Sequence, residues 1–269
     1  MRMKSITFAV SKGGVGKSLL TANVGAALAK KGKSVVMVEG DPNHPLHTIL
    51  EVDFPSGGLK LDEVVQKDLD IEKATYSTRI ANLSLVPSGI SLQGYFELDP
   101  VKFAEKLMEL KADYLLVDVP FPLGEAAFLS LGVCSYFVPI LTEDEFVLCV
   151  ESAIDTIRLG RYLLKCVPVG FVFNRIKTPK KFSEEFIGDL EDLLEIPCIS
   201  KIKEEPKVSK SYGGVESKSA FLAYEKLRSG SDFVSEVDKI AYFLLNKLPM
   251  PEKKDPATLI RQIVAPSMR

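Results

Sequence analysis

The sequence predicts an α/β protein built on a doubly wound, mostly parallel sheet flanked by helices. Strand-like runs alternate with helical patterns along most of the 269 residues. The runs are continuously apolar rather than alternating, as expected of strands covered on both faces. A glycine-rich segment also stands between the first strand and the first helix, the usual context of a phosphate loop. Strands are expected over 6–10, 34–38, 83–86, 114–117, 136–140, 169–173 and 198–199. Helices are expected over 19–30, within the stretch ending at 74, over 100–110, between 117 and 136, and over 145–164, 182–194 and 232–247. Ligands of such sheets bind beyond the carboxyl ends of the strands. Residues 12–18, Asp41 and Asp118 all fall there. Residues 1–248 read as one domain, and 249–269 as a Pro-rich linker with a short basic amphipathic tail.

Composition narrows the classes. An apolar fraction of 46% and a charged fraction of 26% describe an ordinary globular chain able to bury a sizeable core. The formal charge of −2 provides no general attraction to nucleic acid. Cys134, Cys149, Cys166 and Cys198 form no C-x-x-C pair and lie in apolar runs, so buried free thiols are expected rather than a metal site or disulfide. No run is long enough to span a bilayer and no signal-peptide pattern is present, which implies a cytoplasmic chain.

The chemistry begins at Ser11-Lys12-Gly13-Gly14-Val15-Gly16-Lys17-Ser18. Glycines let backbone N–H groups turn toward phosphate oxygens, and the following helix adds its positive end. Lys17 would reach the β- and γ-phosphates, and the Ser18 hydroxyl would ligate Mg²⁺. Gly13, Gly14, Val15, Gly16, Lys17, Ser18 and Leu19 are the expected nucleotide-binding segment. Asp118, closing an apolar run, is placed to hold a water of the Mg²⁺ shell.

The form KGGxGKS, with Lys12 before the paired glycines, resembles the signature of the MinD/ParA family of P-loop ATPases. The resemblance implies a P-loop NTPase fold, ATP or ADP with Mg²⁺ as cofactors, and slow ATP hydrolysis. It also implies a homodimer in the ATP state, in which Lys12 reaches the partner subunit's nucleotide. Glu39-Gly40-Asp41-Pro42 resembles the family's first switch. Asp41 then stands where the family orients the attacking water beside the metal, and Glu39 replaces an aspartate. The run from Asp118 to Gly124 resembles the second switch, with Pro122 in place of a glycine and so without an N–H for phosphate. Asn174-Arg175 resembles the adenine site, where an asparagine amide can both donate and accept. Residues 196–206, including Ile202, resemble the segment lining the base, with Lys203 where the family has proline. Glu145 and Glu151 match positions that face the partner subunit. His44 and His47 read either as a metal pair or as solvated loop histidines. Residues 86–94 with Asp99-Pro100 look like the archaeal MinD-like branch, and the resemblance covers about residues 4–247.

Beyond the linker, Asp255 can cap a short helix that opens on Pro256. Leu259, Ile260, Ile263 and Val264 fall on one side of it, and Arg261 and Gln262 on the other. This resembles the family's membrane-targeting tail, so an anionic membrane surface is one expected partner; docking on its own domain or on a partner is the alternative. DNA is less favoured, because Lys203, Lys207, Lys210 and Lys218 are interspersed with Glu204, Glu205 and Glu216. An activating or cargo protein is also expected.

Overall fold

In the computed structural model, which describes residues 3–40, 45–89, 98–118, 125–212, 222–227, 229–250 and 255–264, the continuously apolar runs form the central strands. Val35–Glu39 (β2) and Tyr114–Asp118 (β5) are buried along their whole length, and Lys4–Phe8 (β1) pairs parallel with β5. Adding Tyr76–Ser77 (β3), Leu83–Val86 (β4), Tyr136–Val138 (β6) and Val167–Pro168 (β8) gives seven strands in the order β3-β4-β2-β5-β1-β6-β8. The expected doubly wound sheet is present. Among the described strands only β3 is antiparallel, at the edge; two residues are too short a run to be recognised as a strand from sequence.

The sheet departs from expectation at Pro139. The run at 136–140 is not one strand but two, β6 and then Ile140–Thr142 (β7). Proline has no N–H to continue the ladder, and its carbonyl instead accepts from Val172 N at 2.9 Å. The chain thereby passes into a second parallel sheet, β10-β9-β7, with Phe171–Ile176 (β9) and Cys198–Lys203 (β10). Both strands run further than the sequence indicated, because polar Asn174, Arg175, Ser200 and Lys201 are held by the pairing. The helix expected over 145–164 is α-helical only through Phe146–Arg158 and ends in a π-helical turn, Leu159–Leu163.

Lys17–Lys30 (α1) is buried at every residue except Ser18 and Lys30. It is covered by the sheet on one side and by Asp232–Asn246 (here α10, in chain order) on the other. It therefore has no amphipathic stripe. Its approach to the sheet is close: a Cβ added at Gly25 would lie 2.0 Å from Met37 Cε and 2.9 Å from Leu116 Cδ1. Asn23, fully buried, donates to Leu19 O at 2.7 Å and accepts from Tyr224 N at 2.7 Å, tying down Ala223–Lys226 (α9).

The final helix, Pro256–Val264 (α11), opens as expected: Asp255 Oδ1 accepts from Ala257 N at 3.2 Å. It packs against Pro100–Glu109 (α4) and Glu125–Val133 (α5). Ile260 is fully buried, 3.3 Å from where a Cβ would stand on Gly132, and Arg261 pairs with Glu105 at 3.3 Å. Ile260 and Ile263 of the tail's apolar side therefore pack on the chain itself in this structure. No helix among the described residues is long and apolar enough to cross a membrane.

Filling the space at Gly25 should be costly. Gly25→Val should destabilise the fold by about 1–3 kcal/mol, read as a lower urea midpoint with unchanged slope. Burial pushes the Tyr114 hydroxyl up to about 12 from an ordinary 10.0, the Asp113 and Tyr136 charges adding to it. The folded state keeps this proton where the unfolded chain loses it, so this contribution is full below pH 10.0 and lost as pH rises toward about 12. Tyr114→Phe should remove that part of the alkaline loss of stability, checked by denaturant titrations on both sides of this range.

Candidate nucleotide site

The loop between β1 and α1 closes around its own backbone. Gly14 and Gly16 hold φ of +72° and +99°, which a side chain would strain. At Gly16 space is also lacking, since an added Cβ would lie 2.5 Å from Asn174 Nδ2. That amide donates to Val15 O at 2.8 Å, so Asn174, buried at the end of β9, fastens the loop as well as standing near the expected base position. Arg175 donates to Gly14 O at 3.0 Å from a left-handed backbone (φ +56°). A non-glycine residue in that region is strained and needs its surroundings to hold it there. Here Asp144 does so at 3.1 Å and Glu204 at 3.8 Å.

The two lysines point apart. Lys17 is buried and donates to Lys12 O at 2.7 Å, curling inside the loop. Lys12 reaches outward to Glu145 Oε2 at 2.7 Å, on a carboxylate that is 64% exposed. Glu145 itself is left-handed (φ +50°) at the start of Phe146–Arg158, here α6. Beside it a cleft of about 450 Å³ is lined by Ser11, Lys12, Leu148, Glu151, Ser152 and Asp155. Asp144 is the hub of this rim. The Lys177 hydrogen bond holds its carboxyl below the ordinary carboxylate range, with the Arg175 and Lys12 charges adding to the effect.

Opposite the loop, Ser18 Oγ donates to Asp118 Oδ2 at 2.7 Å, and Asp118 is fully buried at the end of β5. A hydroxyl and a carboxylate in contact beside a phosphate cradle form an oxygen donor set that fits Mg²⁺. Glu39 pairs in register with Asp118, and Gly40 N donates to Asp118 O at 3.1 Å. Gly13 and Leu19 lie in the loop and the first turn of α1, and Ile202 is buried in β10. Asp41, His44 and Pro122 lie outside the described residues. His47 corrects one expectation: it does not lie in a loop. It belongs to the short helix Pro45–Leu50 (α2) and contacts Glu39; no group of three metal-ligating side chains exists among the described residues.

The sequence reading missed the Asp144 hub, the inward bond of Asn174 and the in-chain pairing of Lys12. One signal was present: the acidic run Glu143-Asp144-Glu145 and the basic Arg175 and Lys177 sit at the ends of β7 and β9, which are paired neighbours.

A family model described as an AAA domain matches residues 3–159. An uncharacterized ATP-binding protein of Methanocaldococcus jannaschii is 34% identical over 266 residues, covering 98% of this chain and 96% of its own length. The chain belongs to the MinD/ParA family of P-loop ATPases. A septum site-determining MinD of Synechocystis is 28% identical over 73% of this chain and 74% of its own. The MinD structure of Pyrococcus horikoshii complexed with Mg-ADP superposes with a TM-score of 0.74 at 24% identity, covering 91% of this chain and 96% of that one, a likeness of fold.

Ser18→Ala and Asp118→Ala each break the 2.7 Å contact. Either should remove the gain in nucleotide affinity that Mg²⁺ gives, and the double variant should lose little more, because the two groups act together. Calorimetric titrations of ADP with and without Mg²⁺ check this.

Proposed function

We propose that this chain is an ATP-binding, slowly hydrolysing switch that dimerises in the ATP state and positions cellular components at a surface. Residues 1–248 are taken as the ATPase domain and 249–269 as linker and tail. The observation that carries this reading is the divergence of the two lysines. Lys17 is folded into the loop, whereas Lys12 stands at the rim on an exposed glutamate beside an open cleft. Released from Glu145, Lys12 would be free to reach a partner's nucleotide.

In this scheme the loop amides of Gly13, Gly14, Val15 and Gly16 cradle the phosphates, and Lys17 turns from Lys12 O to the β- and γ-oxygens. Ser18 and Asp118 would hold Mg²⁺, which neutralises charge on the phosphates when bound. Asp41 orients the attacking water, while Asn174 and Arg175 meet the base. Lys12 adds charge from the partner subunit, and Glu145 and Glu151 face that subunit.

The surface favoured is an anionic membrane, from the basic amphipathic pattern of the tail. Two weak tails on one dimer would bind far more tightly than one. Ile260 would have to leave its seat at Gly132 for the tail to enter a lipid interface. DNA is the weaker reading, since Lys203 is paired with Asp232 at 2.8 Å and Lys201 with Glu184. A protein that activates turnover or rides as cargo completes the scheme.

Light scattering of Asp41→Ala with ATP should show a dimer, and adding Lys12→Ala should return monomer; a dimer that survives the second change overturns the role given to Lys12. Full-length protein should sediment with anionic liposomes only with ATP. Equal pelleting by a chain ending at Lys247 overturns tail-mediated attachment, and an ATP-dependent shift of duplex DNA would put partition in its place.

A further inference from the structure

We propose that Asp144 is a positioning residue for phosphate binding, acting through Arg175 on the peptide groups of the loop between β1 and α1. This inference rests on the nucleotide-binding reading above and gives Arg175 a second task there, on the phosphates rather than the base.

The loop is gripped from behind by its carbonyls. Asn174 Nδ2 donates to Val15 O at 2.8 Å, and Arg175 Nη1 donates to Gly14 O at 3.0 Å. A peptide unit is planar and trans, so a carbonyl and the N–H that follows it point to opposite sides. Two carbonyls drawn toward the end of β9 therefore turn the N–H groups of Val15 and Gly16 away from that strand. That is the side a bound anion must occupy to receive them. The left-handed backbone at Gly14 and Gly16 permits the twist.

Arg175 needs a holder of its own. Its backbone is left-handed (φ +56°) and its side chain is 35% exposed, so a long cation at this rim has many rotamers open to it. The guanidinium is a rigid planar fork, and a carboxylate on one nitrogen sets the direction of the other. Here Nη2 meets Asp144 Oδ2 at 3.1 Å while Nη1 faces the loop; Glu204 stands further off, at 3.8 Å. Asp144 is fixed in turn by Lys177 Nζ, which donates to its two oxygens at 2.7 and 2.9 Å. The neighbouring Glu143 accepts the backbone N–H groups of Lys177 and Thr178 at 2.6 and 2.8 Å. Glu145 pairs with Lys12 at 2.7 Å. Three successive acidic residues just past β7 thus hold the end of β9 against the phosphate loop. Asp144 is the member of the run that meets a side chain gripping a loop carbonyl.

The sign of the effect separates this role from two simpler ones. By Coulomb attraction alone, removing a carboxylate near the phosphates should tighten the binding of an anion. Removing a tie that serves only the fold should leave affinity where it was. Positioning predicts a loss. In calorimetric titrations Asp144→Ala should weaken binding of Mg·ADP by about 3- to 10-fold. Inorganic pyrophosphate, which has no base, should lose affinity by the same factor. Asp144→Glu keeps a carboxylate and should recover most of the loss. In an Arg175→Ala background Asp144→Ala should cost nothing further, because its route to the loop is already cut. The titrations start from wild type, and a wild type that binds neither ligand overturns the nucleotide reading and this one together. A wild type that binds, with Asp144→Ala binding as well or better, overturns the positioning role alone. So does a loss confined to ADP, a loss that Asp144→Glu leaves in place, or a further loss in the Arg175→Ala background.

Discussion

The seat of α1 on the sheet is the constraint from which the rest of the site follows. The helix lies so close to Met37 and Leu116 that Gly25 has no room for a side chain. Its first turn is thereby fixed beside the end of β5, which lets Ser18 reach Asp118 at 2.7 Å. A helix standing one methyl group further out would carry the whole phosphate loop away from the carboxylate. Packing in the core and geometry at the site are here a single requirement.

Around that fixed point the loop is restrained by neighbours that carry charge or strain. Asn174 fills the space that Gly16 leaves, Arg175 holds Gly14 from a left-handed backbone, and Asp144 gathers Arg175 and Lys177. Residues in uncommon backbone conformations persist only where several contacts agree on them. Both Arg175 and Glu145 are such residues, and each touches the loop by its side chain. The cluster Phe146, Phe173, Phe182 and Phe186 packs behind them, setting α6 and β9 firmly side by side.

Much of this was legible in the residues. Continuous apolar runs gave the parallel strands, and Gly13 to Ser18 gave the loop with its helix, because glycine freedom and strand burial are local requirements written locally. The break at Pro139 was legible in principle, but a single missing N–H decides between one strand and two only once the neighbouring strand is known. Polar ends of β9 and β10 were missed because pairing, not hydrophobicity, extends them. The in-chain pairing of Lys12 with Glu145 and the bond of His47 to Glu39 join distant or differently labelled segments, which no spacing rule reveals. The segments with Asp41 and Pro122 lie outside the described residues, so their part of the site rests on the sequence.

Tyr114 and Tyr136 begin β5 and β6, the two strands that flank β1, at the amino-terminal rim of the sheet opposite the phosphate loop. Their hydroxyls donate to Leu244 O at 3.1 Å and to Pro249 O at 2.6 Å, stitching the close of α10 and the start of the linker to the amino ends of β5 and β6. The two rims of one sheet thus have separate work. One rim keeps the chain's late elements in place and the other faces a ligand, so the same strand can drift in sequence at one end with effects on lifetime alone, while a change at its other end alters chemistry.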